Sequence, residues 1–450
     1  MIPPKPVSSD GHGTVLGLAR AFRSDLLSAL PRRLYRAWMA EFRSPVIHSF
    51  ICNDPELVNL VLKTHAADFP KSRRLQAGLE PLLGQSVFIA NGEIWARARR
   101  IIDPAFEGGR VRHAFPAMWD AGSAAVSRLS TLTGQEIDIE PETSHATADV
   151  IFRTLFSMPI EHQIAAQVFA AFRAHQDAQP LVNIAAILPL PRWFRPHSRR
   201  TRNSAARIRG LIEQLVIARM KAIEDGTAPD DLATKIMTTP DPETGRCFDN
   251  REMVDQVATF FLAGHETSAS ALAWALWLLA AFPDWQDRVA EEAQAALDPD
   301  APDFAAAGKL RLARSVFREA MRLYPPVPMY VREAACPHVF RDRPVPRGAQ
   351  IVISPWHLHR HERLWDDPDA FDPARWDTEN GRDCARRAFI PFSAGKRVCP
   401  GAGFAMLEGP LLLAMICRAF RLERGSTDPV PAARLTVRGR DGIRLRLENR

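Results

Sequence analysis

The stretch FSAGKRVCPG, residues 392–401, decides the interpretation of this chain. Cys399 comes just before an apolar segment, residues 400–419, that is typical of a helix beginning at its proline. The dipole and the free N–H groups at the start of a helix favour a thiolate. Gly395 and Gly401 would let backbone approach a flat, bulky ligand closely. The stretch therefore predicts a reactive thiolate beside a large ligand.

Two further side chains fit the same interpretation. Arg397 can pair with an anionic group on such a ligand, and Phe392 offers an apolar wall beside the sulfur. The alternative is a buried structural cysteine near a glycine turn, which would be the better interpretation of a lone Cys399. Phe, Gly, Arg, Cys and Gly at five fixed offsets arise by chance in on the order of one chain in ten thousand.

The pattern F-x-x-G-x-R-x-C-x-G resembles the haem-binding loop of the cytochrome P450 family, without departures. The resemblance implies haem b (iron protoporphyrin IX) with Cys399 as the metal ligand, because a thiolate there favours O–O cleavage. It also implies that Arg397 meets a haem propionate, and that Phe392, Gly395 and Gly401 lie against the cofactor. The expected fold is mainly α with small β-sheets: a triangular helical prism with a long central helix, and haem between that helix and the Cys-loop helix.

A long apolar helix is predicted from Asp249, which with Glu252 forms a capping box, to residue 282 before Pro283. Its segment AGHET, residues 263–267, combines a glycine, which costs about 1 kcal/mol in a helix, with an acid in apolar surroundings. One alternative is a plain helix irregularity with its glutamate facing solvent. The costs otherwise indicate a functional site.

This segment resembles the family motif A-G-x-x-T. The resemblance implies that Ala263 borders the substrate and that Gly264 opens a groove for dioxygen. Thr267 would hydrogen-bond the dioxygen, and Glu266 would relay protons through water. The Thr267 hydroxyl indicates oxygen activation, since relatives that only isomerise peroxides often lack it.

Glu319 and Arg322 share one face of a helix that ends at Tyr324, because they are three residues apart. A solvated surface pair is one interpretation, although the neighbouring residues are apolar. The family has an E-x-x-R pair here and an arginine downstream that matches Arg375. The resemblance implies a buried ionic network of structural function, which is tolerable only when every charge is paired.

Three more residues match positions that hold haem propionates in the family. Trp95 and Arg99 stand one helical turn apart in a W-x-x-x-R pair, for which an exposed helix edge is the alternative. Arg332 follows the Pro-Pro turn at a common propionate position.

The chain is basic, with 58 Lys and Arg against 52 Asp and Glu. No nucleic-acid motif accompanies this charge. Arg97, Arg100 and Lys396 would suit an acidic ferredoxin on the cysteine side, although ordinary solvated charge explains them equally well. Apolar candidates for the substrate pocket are Phe88, Ile89, Ala263, Val327 and Met329, with residues 181–194 as a roof.

The composition is that of a globular protein, 46% apolar and 24% charged,. The six cysteines are scattered, which is typical of a reducing compartment. The N-terminus has no apolar segment, and the apolar run at 271–282 is too short to span a bilayer. We therefore expect a cytoplasmic monomer without a transmembrane anchor, forming one domain over residues 1–450. Strands are expected at 45–52, 329–332 and 350–354, with a hairpin at 435–447 around Asp441-Gly442.

The predicted function is a haem-thiolate monooxygenase of the soluble, bacterial type. It would activate O2 and hydroxylate or epoxidise an apolar organic substrate. Electrons would come from a separate ferredoxin or flavodoxin with its NAD(P)H-dependent reductase. Two alternatives stay open: a peroxygenase or isomerase of the same fold, and a non-enzymatic haem-thiolate sensor.

Overall fold

The computed structural model describes residues 1–8, 25–44, 47–178 and 197–450. The predicted roof at 181–194 lies outside these residues. Helices dominate the described chain, and four of them exceed 17 residues. In chain order the helices are α1 (Leu26–Ala29), α2 (Pro55–Asn59), α3 (Arg73–Leu83), α4 (Gly92–Ile102), α5 (Gly108–His113), α6 (Phe115–Ser130), α7 (Ile139–Phe156), α8 (Gln163–Ala178), α9 (Arg199–Glu224), α10 (Leu232–Thr238), α11 (Asn250–Ala281), α12 (Pro283–Ala296), α13 (Phe304–Ala307), α14 (Arg311–Leu323), α15 (Pro355–Leu358), α16 (Glu379–Arg387) and α17 (Ala402–Ala419).

The strands form small sheets, as expected. The largest has the order β1-β2-β7-β4, in which β2 and β7 run parallel and the other neighbours antiparallel. A three-stranded sheet has the order β3-β11-β8, and β5-β6 and β9-β10 form two pairs. The strands are β1 (Met39–Arg43), β2 (His48–Cys52), β3 (Glu136–Asp138), β4 (Tyr330–Glu333), β5 (His338–Phe340), β6 (Arg343–Val345), β7 (Gln350–Ile353), β8 (Phe420–Arg424), β9 (Pro431–Ala433), β10 (Val437–Gly439) and β11 (Arg444–Asn449).

The predicted hairpin around Asp441-Gly442 is wrong in its pairing. β10 pairs with β9, whereas β11 pairs with β8 and β3. The turn exists, with Gly442 at φ +85°, but its two arms join different sheets. Alternating residues indicate a strand and not its partner, because distant segments compete for the same edge.

The capping box of α11 is confirmed. The Glu252 backbone N–H donates to the Asp249 carboxylate (2.7 Å), and the Asp249 N–H donates to the Glu252 carboxylate (3.0 Å). The helix runs 32 residues to Ala281, and Pro283 starts α12 as its first residue. The sequence therefore predicted both ends of the central helix to within a residue.

The chain divides into two compact units. The first comprises Met1–Pro70, Gly122–Ser144 and Thr267–Arg450; within it Trp274 stacks on Tyr324 with ring centroids 3.9 Å apart. The second comprises Lys71–Ala121 and His145–Glu266; its core includes Phe152 and Phe261, whose centroids are 4.2 Å apart. The expectation of one domain over residues 1–450 stays a prediction.

Helix α17 is the one described helix that is long and apolar enough to cross a bilayer by length and composition. Buried residues make up 67% of it. A core helix of a globular protein meets the same criteria, because burial in protein and burial in lipid select the same side chains.

Candidate functional site

The cysteine loop connects α16 to α17 and is closed by its own backbone. The Cys399 N–H donates to the Phe392 carbonyl (2.9 Å), and the Val398 N–H donates to that of Gly395 (3.1 Å). Residues Gly395–Arg397 form one 3-10 turn. These bonds hold the Cys399 side chain at the surface of the chain, where its thiol is exposed. The Cys399 sulfur is therefore accessible to a ligand, and Cys399 is not a buried packing residue.

The helix after the loop begins later than predicted. Its first residue is Ala402 and its N-cap is Gly401, so Pro400 belongs to a turn and is not the first helical residue. The effect of a helix dipole falls off within one turn. Cys399, three residues before the helix, therefore gains less thiolate stabilisation from it than the sequence indicated.

The two loop glycines differ in what requires them. Gly395 has φ +68°, and a Cβ there would overlap the Leu62 carbonyl oxygen. Gly395 is therefore required by its close contact with the backbone of Leu62, in the first unit. At Gly401 a Cβ would make ordinary contact, 3.9 Å from the Cys399 sulfur. Contact of either glycine with haem stays a prediction.

Tyr330 anchors the start of this loop, a role that the sequence analysis missed. Its hydroxyl lies 2.8 Å from the carbonyl oxygens of Ile390 and Pro391 and accepts from the Ser393 N–H (3.1 Å). Burial raises the pKa of Tyr330, and the neighbouring Cys399 raises it further. Tyr330 therefore stays a neutral donor. No local sequence signal marks this role, because it depends on how β4 packs against the cysteine loop.

The predicted ionic network of α14 is present. Arg322 donates to both Glu319 oxygens, at 2.7 and 2.9 Å, and Arg375 approaches the same carboxylate at 3.3 Å. Their side chains are 0%, 0% and 5% exposed. Arg322 also donates to the backbone carbonyl oxygens of His359, Pro368 and Ala370.

This network reaches the cysteine loop through a histidine. The Arg322 guanidinium donates to the His359 carbonyl (3.0 Å), and the His359 Nε2 accepts from the Ile390 N–H (2.9 Å). Burial, aided by Arg322, lowers the pKa of His359 to about 3. The ring is therefore neutral and can accept. The network holds the segment that leads into Cys399, as its structural assignment predicted.

Arg332 is in a different situation. It is 7% exposed, and its one hydrogen bond to a described residue is to the Val331 carbonyl at 3.3 Å. No carboxylate of the described residues pairs with it. Burial, followed by repulsion from Arg397, lowers the pKa of Arg332 to about 10. A desolvated cation beside a second cation needs an anion.

These features fit haem. A haem brings two carboxylates, which Arg332 and Arg397 could hold, and an iron that takes a thiolate ligand such as Cys399. Arg332 is buried without a carboxylate among the described residues, and the Cys399 thiol is exposed on the neighbouring loop. The donor set of the first unit therefore matches the charge and chemistry of the cofactor.

Four predicted residues lie on α11, in its half-buried central part. Ala263, Gly264 and Thr267 are partly buried, and Glu266 is 2% exposed. The alternative in which Glu266 faces solvent is therefore wrong. An acid buried on an apolar helix is costly, which supports a functional reason for it.

Gly264 has a packing role that the sequence did not indicate. A Cβ there would lie 2.6 Å from Cδ1 of Ile151 on α7, so any larger residue would force the end of the Ile151 side chain to shift. The Thr147 hydroxyl on α7 donates to the carbonyl of the next residue, His265 (3.0 Å). Helix packing is therefore one reason for a glycine at this position, and its dioxygen groove stays a prediction.

On α4, Trp95 is partly buried and Arg99 pairs with Asp103 at 2.7 Å. The basic patch that was expected around them is largely neutralised. Arg97 pairs with Glu252 and Arg100 with Asp241, both at 2.6 Å. Lys396, in the first unit, is exposed.

The apolar pocket candidates differ in exposure. Ile89 is 2% exposed, whereas Phe88 is 38% exposed, with the Lys71 ammonium over its ring. Val327 and Met329 are partly buried. Phe88 is therefore available to a ligand, while Ile89 belongs to the core of its unit.

The structure adds Glu408 on α17, which the sequence analysis missed. It is 1% exposed, and one carboxyl oxygen accepts from the Ser268 hydroxyl (2.8 Å). The other has no hydrogen-bond partner among the described residues. Burial raises the pKa of Glu408 to about 8. Ser268 adjoins Thr267, so this protonated acid ties the cysteine helix to the proposed oxygen-activating segment.

Comparisons with known proteins agree on the family. Residues 32–443 match the family described as Cytochrome P450. Cyclooctat-9-en-7-ol 5-monooxygenase of Streptomyces melanosporofaciens is 32% identical, over 88% of this chain and 84% of that protein. Cytochrome P450 4F2 of Homo sapiens is 27% identical, over 92% of this chain and 83% of that protein.

The fold is confirmed independently by a solved structure. The haem domain of cytochrome P450DA superposes with a TM-score of 0.81 and 24% identity, covering all of this chain and 98% of that one. The chain therefore belongs to the cytochrome P450 family and is a haem-containing monooxygenase of that family.

Proposed function

We propose that Cys399 is the thiolate ligand of the haem iron, and that Arg332 and Arg397 hold its propionates together with Trp95 and Arg99. The observation that carries this assignment is the buried Arg332, which has no carboxylate among the described residues and lies beside the loop that exposes Cys399. When bound, the haem supplies the binding of dioxygen and its reductive cleavage.

The residues of α11 handle protons in this proposal. The Glu266 carboxyl, buried on an apolar helix, accepts protons from water, and the Thr267 hydroxyl passes them to the oxygen that leaves as water. Ala263 and Gly264 leave room for dioxygen and substrate. The overall reaction consumes substrate, O2, two electrons and two protons, and yields oxygenated substrate and one water.

The substrate is an apolar organic molecule. The relative named cyclooctat-9-en-7-ol 5-monooxygenase acts, by its name, on an unsaturated alcohol. Compounds of this class, largely hydrocarbon with one hydroxyl, are the first to test. The exposed Phe88 would contact such a molecule.

Electrons come from a separate ferredoxin or flavodoxin and its NAD(P)H-dependent reductase. Lys396 on the cysteine loop is an exposed cation that would attract an acidic carrier,. We propose a cytoplasmic monomer of the soluble, bacterial type. The extensive burial of α17, at 67%, supports a core position for the most apolar long helix of the described chain.

The test compares two isosteric substitutions on α11. Thr267→Val removes the proposed proton-delivering hydroxyl. Thr259→Val, two turns earlier, removes a buried hydroxyl that has no hydrogen-bond partner among the described residues, and it is the matched control. With a surrogate ferredoxin and reductase, product formed per NADPH is measured on a substrate that the wild type oxidises.

We expect Thr267→Val to lower this coupling ~10- to 100-fold with release of hydrogen peroxide, and Thr259→Val to change it less than about twofold. Unchanged coupling in Thr267→Val would contradict its role. Product formed only when hydrogen peroxide is supplied, in the wild type as well, would instead support the peroxygenase alternative.

A further inference from the structure

A cysteine, a histidine and an aspartate meet on the first unit, apart from the residues assigned to haem. His338 is the first residue of β5, and Cys336 lies in the bend just before that strand. Asp68 belongs to the segment after α2, and its carbonyl accepts from the Ala335 N–H (2.8 Å). This backbone bond brings the two segments together.

The distances match the edges of a tetrahedral zinc site. The Cys336 sulfur lies 3.4 Å from the His338 Nε2, and that nitrogen lies 3.3 Å from the Asp68 Oδ2. The three ligand atoms lie within 4.8 Å of one another. Tetrahedral zinc with ordinary bond lengths would place sulfur and nitrogen about 3.6 Å apart, and nitrogen and oxygen about 3.3 Å apart.

The surroundings hold the donors in place. Phe69 packs against the His338 ring with centroids 4.6 Å apart, and His65 Nδ1 lies 3.2 Å from the Asp68 carboxylate. Metal-binding groups commonly have such outer partners that fix their orientation. The His338 and Asp68 side chains are 16% and 36% exposed, so the site is open to an ion and to a water ligand.

We propose that Asp68, Cys336 and His338 bind one zinc-like divalent cation, with water as the fourth ligand. The thiolate and imidazole donors favour zinc over magnesium or calcium, which prefer oxygen ligands. The site is separate from the haem ligand, although the neighbouring Leu62 carbonyl contacts Gly395 of the cysteine loop. Zinc would therefore join the segment that supports this loop to β5.

The first test measures protection of one thiol in the holoenzyme. Chelator-treated holoenzyme is alkylated with iodoacetamide, with and without one equivalent of zinc, and each cysteine is quantified by mass spectrometry. We expect alkylation of Cys336 to slow at least ~10-fold, because a metal-bound thiolate is a poorer nucleophile. Cys247, a free and exposed cysteine, is the internal control, and its rate should be the same with and without zinc. Equal rates at Cys336 with and without zinc would overturn the proposal.

The second test measures zinc per chain by elemental analysis after dialysis. We expect one zinc in the wild type, in Cys247→Ala and in Cys399→Ser, and a loss of at least ~10-fold in affinity in Cys336→Ala and His338→Ala. Zinc binding that is unchanged in the last two variants would also overturn the proposal. Because Cys399→Ser should still bind zinc, failure of the haem assignment would leave this result unaffected.

Discussion

Buried arginines in the first unit differ in how their charge is compensated. Arg322 and Arg375 share the Glu319 carboxylate and donate to several backbone carbonyl oxygens. Arg332 is almost as buried but has one hydrogen bond to a described residue, at 3.3 Å, and Arg397 as a repelling neighbour. The charges of the structural set, Arg322 and Arg375, are compensated within the protein, whereas the charge of Arg332 requires an anion.

The difference separates a structural charge from a ligand-binding charge. A buried ion pair with all its hydrogen bonds maintains itself, while an unpaired buried cation costs free energy until something neutralises it. Because such a cation destabilises the fold, its presence indicates a function in ligand binding. We infer that Glu319, Arg322 and Arg375 hold the cysteine loop in place and that Arg332 holds the cofactor.

Glu319→Gln should produce the largest effect. It leaves two buried guanidinium groups without their carboxylate, and we expect a loss of about 3–5 kcal/mol in the free energy of unfolding. Urea unfolding of the holoenzyme measures it. The matched control is Asp383→Asn, which breaks the exposed pairs with Arg386 and Arg387 and should cost less than about 1 kcal/mol. Similar losses in the two variants would mean that the network is not a special structural element.

Arg332→Met should affect the cofactor more than the fold. A charge-assisted hydrogen bond contributes about 1.5–3 kcal/mol, so we expect haem to transfer to excess apomyoglobin ~10- to 100-fold faster than from the wild type. The haem-free chain should be as stable as the wild type, or more so, because a desolvated cation has been removed. The exposed Arg343→Met is the control. A large loss of stability with unchanged haem transfer would place Arg332 with the structural set.

Glu408 extends the comparison to a buried acid, and its effect within any one pH unit should be the smallest of the three. Burial raises the pKa of Glu408 from 4.5 to about 8, so between these pH values the folded chain holds a proton that the unfolded chain loses. The stabilising contribution is present below about pH 4.5 and is lost as pH rises through about 8. Relative to the wild type, Glu408→Gln should gain up to about 1.4 kcal/mol per pH unit between pH 5 and 8.

Thermal unfolding at several pH values checks this prediction, with the exposed Glu423→Gln as the control. A stability difference between wild type and Glu408→Gln that does not change with pH would show that the acid is ionised in the folded protein. Its bond to Ser268 would then connect a charged group to α11.

Local signals in the sequence were sufficient for much of the fold. The capping box at Asp249 and Glu252 and the proline after α11 are decided by neighbouring residues, and both predictions are confirmed. The network of Glu319, Arg322 and Arg375 was also predicted, but through the family resemblance, because Arg375 is far along the chain.

Features that depend on tertiary packing were missed. The partners of β11 lie in distant segments, so alternation around Gly442 predicted the wrong pairing. Ile151 against Gly264 and Tyr330 against the cysteine loop are side-chain contacts between distant residues. The neutralisation of the expected basic patch was missed for the same reason, since the partners of Arg97 and Arg100 come from elsewhere in the second unit.

The central claim is that Cys399 is the iron ligand. The most direct test is the absorption spectrum of the dithionite-reduced protein with carbon monoxide, in the wild type, in Cys399→Ser and in Cys247→Ser as the control. We predict a strongly red-shifted Soret band in the wild type and in Cys247→Ser, and its loss in Cys399→Ser. A red-shifted band that persists in Cys399→Ser, or a wild-type band typical of histidine ligation, would contradict the assignment.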